Sequence, residues 1–308
     1  MKRVQLTLCT ILAALAASVF SLAQQPAAKP DEAKPGAPGQ PQVPELQQRA
    51  PRPTPLPQAK TQEEYKAYND AIGIGDPLAM EAAANDFAAK YKDSELRPLL
   101  FLRAMTLYQN ANNADKTLDM ARKVLAINGD HPVALVTAAT VLAEGTRETD
   151  LDRDQRLNEA IGYAQKALTT IETHLAIPPG TPPERVDAAK KVLTSMAYAA
   201  MGTAELSRNN YPVAETNLRK ATEINTVQPD AITWLRLAVV LDHEQKYQEA
   251  MTAATKAFEL SPSGSPQRNL AAQERERLSK LAGAEAPASA QGTQASDPAP
   301  PPTSPAKR

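Results

Sequence analysis

Cysteine is almost absent from this sequence of 308 residues, in which Cys9 is the one cysteine. Cys9 lies in an apolar segment near the N-terminus, so no disulfide can form within the chain and a cysteine-ligated metal site is excluded. The three histidines, His131, His174 and His243, show none of the spacings that hold zinc, such as H-E-x-x-H. A place in the last turn of a helix accounts for each of them. We therefore expect no metal and no cofactor.

Glycine and aromatic residues are scarce too, at 12 glycines and 4% aromatic residues. Gly73 and Gly75 are the nearest approach to a phosphate-binding loop, but they lack a third glycine and a preceding strand. Asp150, Asp152 and Asp154 alternate as in a calcium loop, yet the glycine that such a loop requires is missing. No combination of residues points to a nucleophile or an acid–base pair, so we expect no catalytic residue and no enzymatic activity.

An excess of charge of either sign is missing as well. The sequence has 34 basic and 35 acidic residues, which gives a formal net charge of −1. A nucleic-acid-binding protein normally carries a basic excess gathered on one face. The balance argues against a nucleic-acid partner.

The first residues resemble a signal for export. Lys2 and Arg3 form a short basic start, an apolar run covers Val4–Leu22, and small residues flank the position after Ala23. This pattern indicates a signal peptide over residues 1–23, removed after Ala23, and a periplasmic or secreted protein. The run is also just long enough for an uncleaved membrane anchor, and this is the alternative.

Composition divides the rest of the chain into three parts. Residues 24–60 and 283–308 are rich in Pro and Ala, and they carry too few large apolar residues to form a core. We expect both to be disordered arms. Residues 61–282 are rich in good helix formers, and their apolar residues recur at spacings of three and four. The middle part is therefore predicted to be all-α.

Within this middle part an internal repeat stands out. Its clearest copy has the spacing W-x2-L-G-x2-Y, followed by small residues at helical spacing and a proline, in Trp234, Leu237, Ala238, Leu241, Ala250, Ala254, Ala257 and Pro262. This pattern resembles the tetratricopeptide repeat. Similar registers begin near Glu64, Pro98, Pro132 and Ser195.

The resemblance implies a right-handed α-solenoid of about five helix pairs. Residues 267–281 are predicted to form a C-terminal capping helix, with Leu270, Leu278 and Leu281 facing inward. Insertions between Gly145 and Arg156 and at 177–183 interrupt the repeat, and we expect them to divide the array into two blocks.

The same resemblance implies a concave groove lined by the first helix of each pair. By register, the groove residues are Leu99, Leu102, Arg103, Thr106, Val133, Val136, Thr137, Thr140, Met196, Ala199, Thr203, Ile232, Leu235, Arg236, Val239 and Asp242. The Lys and Asn pairs with which some family members bind a terminal carboxylate are absent. A mainly apolar groove suits an apolar or amphipathic segment. The alternative is that several of these residues only pack against neighbouring helices or the cap.

For function, the resemblance implies a protein that binds other proteins or peptides. We expect an extracytoplasmic scaffold or adaptor with a partner in the cell envelope. An envelope assembly factor, acting in outer-membrane or cell-wall biogenesis, and a chaperone-like holder of exported proteins are the alternatives.

Overall fold

The computed structural model describes residues 57–285, and the predicted signal segment and most of both predicted arms lie outside these residues. The described chain forms eleven α-helices. They are α1 (Gln62–Ile72), α2 (Pro77–Lys90), α3 (Arg97–Asn110), α4 (Ala114–Ile127), α5 (Pro132–Gly145), α6 (Arg153–His174), α7 (Pro183–Ser207), α8 (Tyr211–Ile224), α9 (Ala231–His243), α10 (Tyr247–Leu260) and α11 (Pro266–Glu285). The last helix runs on past residue 282, where the predicted tail begins.

Polar side chains mark where many of these helices begin. Thr61, Asp76, Asn113, His131 and Asp230 each accept a hydrogen bond from the backbone N–H three residues ahead. Such N-caps satisfy donors that have no partner within the helix. His131 therefore starts α5, and the prediction that it lies in the last turn of a helix is wrong. His174 and His243 do end α6 and α9.

Each helix packs against the next to form five antiparallel pairs, and α11 covers the last of them. Three of the turns within pairs are built alike: Asn112, Asn209 and Gln245 have φ of 53°, 60° and 61°. In each turn the following N–H donates to a carbonyl in the last turn of the first helix. The all-α solenoid of about five pairs with a capping helix is confirmed.

The third and fourth pairs depart from this pattern. The first insertion forms the loop at 146–152, and the proline-rich one forms the loop at 175–182. The two helices beside the second loop are also lengthened, since α6 has 22 residues and α7 has 25. The prediction placed the fourth unit near Ser195, but α7 begins at Pro183. Proline is well tolerated in the first turn of a helix, so Pro183 is compatible with this earlier start.

The first helices of several neighbouring pairs lie beside each other on one side of the array. α5 packs closely against α7, α1 touches α3, and α7 touches α9. Within the described residues, the second helices of neighbouring pairs make no comparable contact. Ion pairs between long side chains join these helices instead. Glu81 on α2, for example, lies 3.0 Å from Lys116 and 3.4 Å from Lys123 on α4. We call the side formed by the first helices the inner face and the side formed by the second helices the outer face.

The apolar core consists of two clusters. The first runs from Ala59 to Ala204 at the end of α7, and the second from Ala214 in α8 to Leu278 in α11. We call α1–α7 the first block and α8–α11 the second block. The core thus divides inside the fourth pair, and not at the two insertions as expected. A polar contact lies at this division, where Ser195 Oγ on α7 donates a hydrogen bond to the carbonyl of Ala221 on α8 at 2.8 Å.

The position of the capping helix α11 in the sequence is predicted correctly, but its rotation about its own axis is not. Leu278 is fully buried and Leu281 half-buried, but Leu270 is 37% exposed. Ala271 and Ala282 take the inward positions instead. Arg268 and Arg275 lie 4.0 and 4.4 Å from the ring centre of Phe258 on α10, and these contacts help to set the rotation.

Candidate protein-binding face

The residues predicted to line the groove fall into two groups. A buried group comprises Leu99, Leu102, Thr106, Val136, Thr137, Thr140 and Thr203. A half-buried group comprises Arg103, Val133, Met196, Ala199, Ile232, Leu235, Arg236, Val239 and Asp242. None of them is exposed.

The two groups lie in different parts of the array. On α3 and α5 the inner-face residues are mostly buried, as with Leu102 at 6% exposure and Val136 at 0%. These residues pack within the solenoid, as the alternative interpretation of the sequence held. On α7 and α9 most are half-buried and apolar: Met196, Ala199, Ile232, Leu235 and Val239. We call these five residues the apolar strip, and Val133 on α5 is the other half-buried apolar residue of the predicted groove.

The two charged residues predicted on α9 are both paired within the protein. Arg236 Nη2 lies 2.9 Å from Glu144 Oε1, at the end of α5. Asp242 Oδ2 lies 2.6 Å from an Nη of Arg277 on the cap. Both pairs are largely shielded from water on at least one side. The face therefore presents little net charge beside the apolar strip.

Glu144 is the functional candidate that the sequence analysis missed. Burial raises the pKa of its carboxyl group, although the guanidinium of Arg236 opposes that rise. The signal in the sequence was that Glu144 is the one charged residue of α5, in the stretch PVALVTAATVLAEG. A single acid in an otherwise uncharged helix needs a partner, and Arg236 supplies it.

Threonines give the inner face its remaining polar character. The hydroxyls of Thr106 and Thr203 donate to carbonyls one turn earlier, at 3.0 and 2.7 Å. The hydroxyls of Thr137 and Thr140 are buried and have no hydrogen-bond partner among the described residues. Both lie on the side of α5 that carries Glu144, since positions three, four and seven residues apart share a helix face.

The motifs weighed for chemistry lie apart from this face. Gly73 and Gly75 belong to the turn between α1 and α2, and the loop at 146–152 contains Asp150 and Asp152, with Asp154 in the first turn of α6. Within residues 57–285, no group of three or more His, Cys, Asp or Glu residues could hold a metal ion. None of the helices in that part of the chain is both long and apolar enough to span a membrane.

The helix pairs, their shared turns and the capping helix together define a solenoid of tetratricopeptide-like repeats. In structure it is similar to TTC0263, a thermophilic TPR protein of Thermus thermophilus, at 13% identity and a TM-score of 0.42, over 72% of this chain and 98% of that one. It is also similar to MamA in two crystal structures, at 16% and 17% identity and TM-scores of 0.35 and 0.37. These matches cover 59% and 60% of this chain and 96% and 88% of those. No family model and no curated protein matches the sequence.

Proposed function

We propose that this protein is a non-enzymatic scaffold that binds a partner protein or peptide through the apolar strip on α7 and α9. The observation that supports this most is the strip itself, a run of half-buried apolar side chains on the inner face of a helical array. Apolar side chains that remain accessible in a concave face are typical of protein-binding sites.

The charges beside the strip define the kind of partner. Because Arg236 and Asp242 are already paired with Glu144 and Arg277, the face has no strong preference for an acidic or a basic segment. An amphipathic helix can lay its apolar side along such a surface with anchors at helical spacing. The partner is therefore a segment with an uncharged apolar face.

The proposed location is outside the cytoplasm, with a partner in the cell envelope. Its support is the basic start, the apolar run and the small residues at Ala23 in the sequence. Sequencing the N-terminus of the protein purified from cell fractions tests this part alone. A mature chain that begins at Gln24 in the periplasm or medium supports export, and an intact chain in the cytoplasm contradicts it.

The binding proposal is tested by crosslinking the tagged full-length protein in cells, followed by mass spectrometry of what it captures. Leu235→Gln and Met196→Gln place polar groups in the strip at little change in volume, and Val213→Gln is the matched control. Val213 is 42% exposed and lies on the outer helix α8. Leu102 and Val136 are unsuitable because substitutions at such buried positions would unfold the array.

We expect one or two reproducible partners, lost in the strip variants and kept in the control. Capture that is the same in all variants would rule out the strip as the binding site. A scatter of unfolded exported proteins would favour the second candidate, a chaperone-like holder. If a deletion strain loses its permeability barrier or divides abnormally, an envelope assembly factor becomes the preferred function.

A further inference from the structure

The apolar strip on α7 and α9 stays partly open to solvent in the described part of the chain, since its five residues are all half-buried. The nearest charges on α9 already have partners. Arg236 pairs with Glu144 at 2.9 Å, and Asp242 pairs with Arg277 at 2.6 Å. A charged segment placed on this surface would lose water without meeting a free charge of opposite sign. An uncharged apolar segment is therefore the better fit.

The chain leaves the described structure close to this strip. α11 touches α9, and Arg277 on α11 reaches Asp242, which lies one turn beyond Val239 of the strip. Further along α11, the carbonyl of Ala282 accepts a hydrogen bond at 3.1 Å from Gln248 Nε2 in the first turn of α10. α11 ends only about 12 Å of helix beyond Arg277. The residues after 285 thus begin near the end of α9.

The sequence that follows α11 has the chemistry that fits the strip. Asp297 is the one charged residue at 286–306. Five prolines follow it closely, at Pro298, Pro300, Pro301, Pro302 and Pro305. We call residues 298–305 the proline segment. Proline rings are apolar, and because their φ is fixed, a proline-rich segment loses little conformational entropy when it binds.

The proline segment is within reach of the strip. The 12 residues at 286–297 separate it from the end of α11, and when fully extended they span up to about 40 Å. Along α9 the strip runs from Val239 back to Ile232, which is about 10 Å of helix. A segment tethered this closely has an effective concentration on the order of millimolar, so a weak contact is enough to keep it in place.

The N-terminal arm fits the strip less well. It joins the described structure at the opposite end, where Ala59 is buried in the first block. Residues 24–56 also contain four basic and three acidic residues: Lys29, Lys34, Arg49, Arg52, Asp31, Glu32 and Glu45. Those charges would meet no free partner at the strip. Both the place of attachment and the charge therefore favour the C-terminal segment.

We propose that the proline segment docks on the apolar strip of its own chain and covers this face until a partner displaces it. The inference rests on the proposed function in one respect, which is that the strip is a binding surface. A partner then has to compete with a segment that is always close by. The segment thus sets a threshold of affinity that a partner must exceed.

The docking is tested in the full chain without any partner. Cys9→Ser removes the native thiol, and Ala299→Cys places a nitroxide spin label in the proline segment. The oxidised nitroxide broadens the NMR signals of nuclei close to it, and isotope-labelled methionine methyl groups provide those signals. Met196 belongs to the strip, whereas Met120 on α4 is fully buried in the first block and is the internal control.

We expect the oxidised label to remove most of the Met196 signal and to leave the Met120 signal as it is with the reduced label. Leu235→Gln in the strip should restore the Met196 signal, and so should exchange of the five prolines for serine. Val213→Gln on α8 is the matched control and should restore nothing. Circular dichroism checks that the helices of each variant are intact. A Met196 signal that the label does not reduce, or reduces equally in Leu235→Gln, overturns the proposal.

A mixing experiment separates docking within one chain from docking between two copies. Spin-labelled chains without isotope are mixed with isotope-labelled chains that have no thiol. We expect the Met196 signal of the mixture to keep its intensity, because the segment occupies the strip of its own chain. A loss as large as that within one chain would assign the segment to a second copy and overturn the proposal.

A second measurement uses the dye anilinonaphthalene sulfonate, whose fluorescence rises on exposed apolar surface. The variant with five serines should bind more dye than the parent, and adding Leu235→Gln should remove the increase. Equal fluorescence of the parent and the serine variant would contradict the docking. If strip variants lose the partner while the label leaves Met196 unchanged, the docked segment is wrong and the proposed function stands.

Discussion

The two blocks of this solenoid bury side chains of different size. The first block buries large side chains completely, among them Tyr68, Met80, Met105 and Met120. The second block buries alanines beside four leucines, Leu218, Leu237, Leu241 and Leu278, while ion pairs link helices in both blocks. A repeat architecture can therefore keep one backbone pattern while the size of its buried side chains changes along the array.

Several charged residues of the second block form a continuous network around Glu215. Glu215 on α8 binds Arg219 at 2.8 Å and Lys246 at 2.7 Å, and Arg219 also contacts Glu249 on α10. Glu215 is the centre of this network, with its side chain only 14% exposed. We infer that the stability of the second block depends on salt and pH, because charged contacts near water are screened by ions.

The largest expected effect comes from removing buried side-chain volume from the first block alone. Leu157 is fully buried in the first block, so Leu157→Ala should lower the free energy of unfolding by about 2–5 kcal/mol through lost burial and a residual cavity. Urea unfolding followed by circular dichroism reports on all helices, and fluorescence of Trp234, the one tryptophan, reports on the second block. The dichroism transition should move further than the fluorescence transition.

Two outcomes would change this interpretation. If both transitions move equally, the blocks unfold as one unit and the break in the core has no thermodynamic consequence. Leu151→Ala is the control, because Leu151 lies fully in solvent at 107% exposure and its removal should leave both transitions in place. A shift in that control would mean that the signals respond to more than buried volume.

The next effect tests the boundary between the blocks. A Cβ atom on Gly202 would lie 2.6 Å from Leu218 Cγ and 3.2 Å from the backbone N of Leu218, so α7 and α8 would have to separate. We expect Gly202→Ala to cost about 1–2 kcal/mol in thermal or urea unfolding, since overpacking outweighs the gain in helix propensity. Gly162→Ala has nothing within 4 Å and should instead stabilise α6 by up to about 1 kcal/mol. If Gly202→Ala proves as stabilising as Gly162→Ala, the boundary is looser than its distances indicate.

Protonation of His131 in the first block and of Glu215 in the second should act in different pH ranges, each with an effect on the order of 1 kcal/mol. In the first block, burial lowers the pKa of His131 from 6.5 to about 4. The unfolded chain therefore binds the proton more readily, and stability falls as the pH drops from about 6.5 to 4. His131→Ser keeps an N-cap on α5 and should abolish this loss in pH-dependent unfolding.

In the second block the carboxyl group with the strongly lowered pKa is that of Glu215. Burial would raise the pKa of Glu215, but hydrogen bonds from Lys246 and Arg219 outweigh that and lower it from 4.5 to about 2. Its contribution is complete above about pH 4.5 and is lost as the pH falls towards 2. Glu215→Gln should remove this dependence from the Trp234 signal, and a dependence that persists would show that other groups carry it.

The smallest expected effect compares the same turn in each block. Gln245 and Asn112 both have positive φ, at 61° and 53°, but asparagine tolerates this conformation better than glutamine does. In thermal unfolding, Gln245→Gly should raise the free energy of unfolding by up to about 1 kcal/mol, and Asn112→Gly by only a few tenths. Equal gains at the two positions would show that the side chains, and not the backbone conformation, determine the difference.

Much of the fold could be predicted because the helices of a repeat are determined by residues that are close together in the sequence. The spacing of Trp234, Leu237 and Leu241 places apolar residues on one side of a helix, and prolines and caps such as Asp230 mark where helices start. The rotation of α11 could not be predicted. Whether Leu270 or Ala271 faces inward depends on how Arg268 and Arg275 contact Phe258 in the preceding helix.

The candidate site was less predictable than the fold. The register identifies which residues face inward, but it does not give the distance between neighbouring pairs, and that distance decides whether Val136 is buried or Leu235 half-buried. The use of the face as a binding site stays a prediction. The ion pair of Asp242 with Arg277 likewise depends on how the capping helix α11 packs against α9.

The helices, their pairing and the order of the array follow from the amino-acid sequence, because each depends on residues that are close together along the chain. The division of the core and the accessibility of the inner-face residues emerge only when the helix pairs are stacked in space. The same stacking brings Glu144 to Arg236 across 92 positions. Small differences in packing angle add up from one helix pair to the next, and no local pattern of residues records that sum.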